Sequence, residues 1–100
     1  MRREEVMAKL KEAEPALRAR GVASLYLFGS YSQDAARADS DVDVFVDPVS
    51  DEHFGFLQFM DAYETIRKAF DHDVEIGYST REGLSRYIRD DVEREAIKVF

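Results

Sequence analysis

The chain has no cysteine, two histidines, two prolines and fewer cationic than anionic side chains. The missing thiols exclude disulfides, thiolate nucleophiles and cysteine-based zinc sites. His53 and His72 lack the spacing of metal ligands and are expected at the surface or at a helix end. With 14 Lys and Arg against 21 Asp and Glu, the net charge is −7. Such a surface is not built to neutralise the phosphates of DNA or RNA, so no direct nucleic-acid binding is expected. No apolar run approaches the roughly 18 residues that span a bilayer, and Met1-Arg2-Arg3-Glu4-Glu5 has no apolar signal core behind it. A cytoplasmic location without membrane association is the expectation. Linkers, repeats and low-complexity segments are absent as well, and residues 1–100 are expected to form one domain, too small for a separate substrate domain or lid. Any large substrate must then bind an open surface or arrive with a partner.

What is present alternates between helical and extended patterns. From Arg3 to Arg20, Val6, Leu10, Ala13 and Leu17 recur at helical spacing, Pro15 predicts a kink, and Gly21 predicts the stop. Ser24 to Phe28 reads as a short buried strand, and Ser30 to about Arg37 as a short helix pointing its N-terminus at the preceding turn. Asp41 to Val46 alternates strictly, with Val42, Val44 and Val46 on one face and the carboxylates on the other. Pro48 ends that strand, and Ser50 or Asp51 is placed to cap a helix running to about Phe70. Asp73 to Tyr78 reads as a third strand, and Thr80-Arg81-Glu82-Gly83 opens a last helical region toward Phe100. Helices and strands in this order predict a small α/β or α+β domain. Phe54, Phe56 and Phe59 cannot all face one way on a helix, so part of that aromatic set is a candidate exposed patch for a partner or a dimer.

The chemistry concentrates in Gly29-Ser30, ten residues of spacer, then Asp41-Val42-Asp43. A glycine turn leaving a strand lets backbone N–H groups and a hydroxyl approach phosphate closely. Carboxylates at i and i+2 on a strand share one face and can grip a divalent cation, with substrate phosphates completing its oxygen shell. Val74-Glu75-Ile76 sets a third carboxylate in an apolar strand context. Beside Asp41 and Asp43, Glu75 could complete a two-metal site, or serve as general base for a hydroxyl acceptor. A charged group flanked in this way needs a partner, a metal or solvent.

Taken together, Gly29-Ser30, Asp41 and Asp43 after the apolar strand, and Glu75 closely resemble the minimal nucleotidyltransferases. These are small members of the DNA polymerase β-like nucleotidyltransferase superfamily. The resemblance runs from about Val22 to Phe100 and includes Asp39-Ser40-Asp41-Val42-Asp43-Val44 and the closing Arg94-Glu95-Ala96-Ile97-Lys98-Val99-Phe100. It implies a small mixed β-sheet flanked by helices, ATP and Mg²⁺ as cofactors, and transfer of a nucleoside monophosphate to a hydroxyl. Many such proteins are antitoxins paired with a HEPN-domain ribonuclease toxin, which they silence by adding AMP to a tyrosine, in a hetero-oligomer with that toxin. Carried over, Gly29 and Ser30 would hold phosphate, Asp41 and Asp43 would bind metal, and Glu75 would be the third carboxylate, replacing the usual aspartate.

The chain departs from that family inside the spacer. Members commonly follow Gly-Ser-x with Ala-Arg-Gly, whereas Tyr31 is followed here by Ser32-Gln33-Asp34. The usual arginine, a fixed donor fork for triphosphate, is missing, and Asp34 adds negative charge. Arg37 sits where some members carry a second arginine and is the candidate replacement for binding phosphate. Three functions stay open at this level: an AMP-transferring antitoxin, an antitoxin that acts by binding alone, and a nucleotidyltransferase subunit acting on a small-molecule hydroxyl.

Overall fold

A computed structural model describes residues 1–33, 35–37 and 39–100. Asp34, and with it the reading that it adds charge to the turn, lies outside the described residues. A four-stranded mixed sheet has the order β3-β2-β1-β4, with β1 at Val22–Phe28, β2 at Val42–Pro48, β3 at Ile76–Thr80 and β4 at Ile97–Lys98. Strand β1 runs antiparallel to β2 and β4, and β2 runs parallel to β3. The expected α+β arrangement of a small mixed sheet with helices is therefore present.

One face of the sheet carries the core. The alternation in β2 buries Val42, Val44 and Val46, and register sets Leu27 beside Val44 and Leu25 beside Val46. Val6 and Leu10 from α1 (Arg3–Glu12), Leu17 from α2 (Glu14–Ala19), and Ala62, Ile66 and Phe70 from α3 (Phe56–Ala69) join the same cluster. Each fully buried Val or Leu contributes about 1.5–3 kcal/mol of transfer free energy, which makes this layer the main source of stability. Among the described residues, no helix is long and apolar enough to cross a membrane.

Several expected boundaries shift for identifiable reasons. Pro15 divides the first helix: Ala13 joins α1 to α2, and the proline occupies the first turn of α2, where its missing N–H costs no hydrogen bond. Gly21 has φ +95°, a left-handed conformation that closes this helical segment. The helix expected from Ser50 or Asp51 begins instead with a 3-10 turn at Asp51–His53. It restarts at Phe56, where the Gln58 side chain accepts from the Gly55 N–H at 3.0 Å. The third strand starts at Ile76 rather than Asp73, because Asp71 and His72 take positive φ in the turn after α3. His72 bonds Glu64 across that turn at 2.6 Å, and His53 is exposed in the 3-10 turn.

Two expectations are overturned. The described residues between Ser30 and Arg37 form no helix: Gly29 to Gln33 is a run of turns in which the Ser32 hydroxyl donates to the Gly29 carbonyl at 2.9 Å. The same carbonyl accepts from the Gln33 N–H at 3.2 Å, a single turn that is not continued as a helix among the described residues. The last helix also stops short of Phe100. It spans Arg86–Glu95 as α4, with the Ser85 hydroxyl accepting from the Tyr87 N–H, and the chain then becomes β4. Beyond Lys98 the pairing continues, with the Val99 N–H on the Leu25 carbonyl and the Leu25 N–H on the Phe100 carbonyl.

The second sheet face holds a stack of rings and charge. Tyr26 and Phe45 stack with centroids 4.7 Å apart, and the Arg81 guanidinium lies 4.9 Å from each ring. Arg81 donates in bidentate fashion to Asp47 at 2.9 and 2.8 Å and reaches Glu93 of α4 at 3.3 Å. Hydrogen bonding to Asp47 holds the guanidinium even more firmly protonated than an ordinary arginine. This pair is less than one-third exposed, unlike Arg94 and Asp91, which are about 70% exposed (69%/71%). Arg81→Lys, which loses the planar fork and the ring stacking, is expected to cost about 1–3 kcal/mol in denaturant unfolding. Arg94→Ala is expected to cost less than about 0.5 kcal/mol in the same measurement.

Candidate functional site

The site forms where β1 ends and β2 begins. Register brings Phe28 of β1 and Gly77 of β3 to either side of Asp43. Next to Phe28, Gly29 turns the chain with φ +73°, and a Cβ on it would collide with the Asp43 Oδ2 and lie 3.2 Å from Cγ. A Cβ on Gly77 would collide with Oδ1 and lie 3.3 Å from Cγ. The Asp43 carboxylate is therefore cradled between two glycines of flanking chain segments. Both lack side chains at the points where the carboxylate oxygens pass.

Electrostatics leaves this carboxylate in need of a cation. Burial raises its pKa above the usual aspartate value, and the charge of Asp41 raises it further. Asp41 is exposed on the approach to β2, and neither aspartate side chain has a hydrogen bond or ion pair among the described residues. A partly desolvated pair of like charges with no counter-ion among the described residues fits a divalent metal. The donors are carboxylate oxygens, and Mg²⁺ is ordinarily held by one or two such groups plus substrate phosphates.

The remaining sequence-predicted residues divide. Ser30 directly follows Gly29, is half-buried, and its carbonyl accepts from the Ala35 N–H at 2.8 Å. Because no helix starts here, phosphate would meet individual turn N–H groups rather than a helix N-terminus. Arg37 is exposed, and its backbone exchanges bonds with Ser40, N–H to Oγ at 2.7 Å and carbonyl to N–H at 3.1 Å. That turn delivers the chain to Asp41 and leaves the guanidinium at the surface.

Glu75 sits at the edge of the third strand. It lies one residue before β3, and its carbonyl accepts from the Val42 N–H at 2.9 Å, at the register position opposite Asp41. Its side chain is exposed, so solvent supplies the partner that a strand-interior carboxylate would have required. Among the described residues, no three His, Asp or Glu side chains gather into a metal-binding group, so Glu75 is a neighbour of the aspartate pair rather than part of one cluster with it.

Sequence reasoning missed Gly77 and the Gln33 contact. A glycine inside a strand marks close approach by another group, and Ile76-Gly77-Tyr78 carried that signal. Gln33, at the position of the family's arginine, donates through Nε2 to Glu95 of α4 at 2.8 Å. No sequence signal pairs two residues so far apart.

The raised Asp43 pKa sets a testable sign. Its contribution to stability is fully present below the unfolded aspartate value and is lost as pH rises through the folded value. Without metal, Asp43→Asn is expected to raise the melting temperature at pH 7, with the gain shrinking as the solution is acidified toward pH 3. Gly77→Ala is expected to destabilise the fold by about 1–3 kcal/mol, because its Cβ must displace the carboxylate. Thermal denaturation across pH checks both.

Comparison with known proteins gives a consistent answer. The family model of the nucleotidyltransferase domain matches residues 9–99. A solved structure assigned to the minimal nucleotidyltransferases is 25% identical, superposes with a TM-score of 0.79, and is matched over 97% of this chain and 95% of its own. A toxin–antitoxin structure with AMP-PNP is 19% identical with a TM-score of 0.68, over 90% of this chain and 72% of that one. A mutant of the MntA-HpeT toxin–antitoxin is 16% identical with a TM-score of 0.62, over 100% and 73%. A search of curated protein sequences gives no significant match. Family members work on nucleoside triphosphates with a divalent metal, and the family model covers the strand, turn and carboxylates described above: this chain belongs to the nucleotidyltransferase domain family.

Proposed function

We propose that this nucleotidyltransferase domain is an antitoxin that transfers AMP from ATP to a hydroxyl, a tyrosine of a cognate HEPN ribonuclease toxin, and so neutralises it. The observation that carries the reading is the uncompensated Asp41–Asp43 pair beside the Gly29-Ser30 turn. Two fold neighbours, both toxin–antitoxin structures and one of them with AMP-PNP, support the choice of nucleotide and partner.

In this mechanism Asp41 and Asp43 would hold Mg²⁺, with Glu75 as the third acidic group beside them. Bound metal supplies charge neutralisation for the triphosphate and the leaving group. The Gly29–Ser30 turn receives phosphate through backbone N–H groups, and Arg37 offers an exposed cationic head. The acceptor oxygen forms a bond to the α-phosphorus while the bond from that phosphorus to the α,β-bridging oxygen breaks. Pyrophosphate leaves, and the hydroxyl proton passes to a carboxylate of the site, for which Glu75 is accessible.

A second reading has one specific observation behind it. Gln33 replaces the family's arginine and is engaged with Glu95, which is compatible with an antitoxin that acts by binding alone. Incubation with α-labelled ATP, Mg²⁺ and the toxin encoded by the adjacent gene separates the two. Label is expected on the toxin, falling at least 100-fold with Asp41→Ala and Asp43→Ala together. No transfer by the wild type, or unchanged transfer by the folded double variant, overturns the catalytic reading. Protection of cells by a transfer-dead double variant establishes binding alone.

A further inference from the structure

Helix α3 opens with an apolar face that the fold does not cover. Phe56 is 75% exposed, Leu57 72% and Met60 39%. These residues fall at i, i+1 and i+4, so they lie within about one helical turn. Monomeric proteins rarely leave large apolar side chains contiguous in this way, and Phe and Met are enriched where proteins meet. Met60 also borders a groove of about 230 Å³ between α3 and β3, lined by Phe59, Tyr63, Ile76 and Tyr78.

The groove is held in shape before anything enters it. The Tyr78 hydroxyl donates to the Phe59 carbonyl at 2.9 Å, and the Tyr78 ring packs on Phe59 and Tyr63 at centroid distances of 4.5 and 5.4 Å. Strand β3 is an edge strand, so its outer side carries no pairing strand among the described residues. Apolar helix face, aromatic groove and free strand edge are thus adjacent, and a partner that fits them meets little ordering cost on this side.

Charge decides between occupants. Between Arg37 and Arg67 the chain has no lysine or arginine. Asp51 and Glu52 precede the patch and Asp61 follows it, all three exposed. A second copy would set the same acidic border against itself, and an anionic lipid surface would be repelled. We infer that the Phe56–Met60 face of α3, with the adjoining α3–β3 groove, is the docking surface for a protein partner presenting an apolar ridge bordered by lysine or arginine. The inference rests on the proposed antitoxin role for the identity of that partner.

The test uses the purified toxin from the adjacent gene as probe and reads affinity and label transfer separately. Phe56→Ser with Leu57→Ser changes two exposed side chains and is expected to fold as wild type and to weaken toxin binding at least 10-fold. Asp61→Lys is expected to weaken binding and to flatten its salt dependence. Wild-type affinity in the Phe56/Leu57 variant overturns the docking surface while leaving the antitoxin reading intact. A wild-type chain that neither binds nor labels the toxin overturns that reading, and this occupant with it. In sedimentation velocity the chain alone is expected to be monomeric, and a dimer dissolved by the same variant would reassign the face to a second copy. Flotation with phosphatidylcholine vesicles is expected to leave the chain unbound, and co-flotation lost in the variant would reassign the face to lipid.

Discussion

The close approach of three chain segments around one carboxylate is the constraint on which the rest depends. Asp43 sits on β2 between the antiparallel β1 and the parallel β3, and its oxygens fill the space that Cβ atoms at Gly29 and Gly77 would occupy. The buried valines of β2 hold the opposite face of that strand in the core, which fixes the direction of Asp43. Packing on one face therefore aims charge on the other. The turn at Gly29 can approach only because the left-handed backbone and the missing side chain occur at the same residue.

That geometry opposes stability. Burial and the neighbouring Asp41 both disfavour the charged form of Asp43, and no basic side chain offsets them among the described residues. Elsewhere the fold deals with similar charge differently: Asp47, two positions further along the same face, is clamped by Arg81 beneath the Tyr26–Phe45 stack. One aspartate of the face is neutralised internally, and the other has no such partner among the described residues. Sites that sacrifice local stability in this way are commonly functional.

Much of this was legible in the sequence, for physical reasons that differ by element. The strict alternation from Asp41 to Val46 and the helical spacing of Val6, Leu10 and Leu17 report burial directly, because one-sided burial imposes its period on the chain. The Gly29-Ser30 turn was readable through its spacing to Asp41 and Asp43 and its place after an apolar strand. By contrast, β4 is two residues of an edge strand, too short to show a period, and its partner β1 lies some seventy residues earlier. The helix expected after Ser30 is replaced by turns, in which the Gly29 carbonyl accepts from both the Ser32 hydroxyl and the Gln33 N–H. For Glu75 only the strand boundary shifts: it lies one residue outside β3, where solvent is the partner of its carboxylate. The exposed part of the α3 aromatic set was foreshadowed by a spacing that no single helix face can satisfy.

The central claim is that Asp41 and Asp43 form the cation site of a nucleotidyltransferase. Its most direct test is the anomalous scattering of Mn²⁺ in crystals soaked with Mn²⁺ and a non-hydrolysable ATP analogue. The account predicts a peak within coordination distance of the Asp43 carboxylate, shared with Asp41 and with the analogue's phosphates. Bound analogue with Mn²⁺ coordinated elsewhere, or with no peak at Asp43, would contradict it.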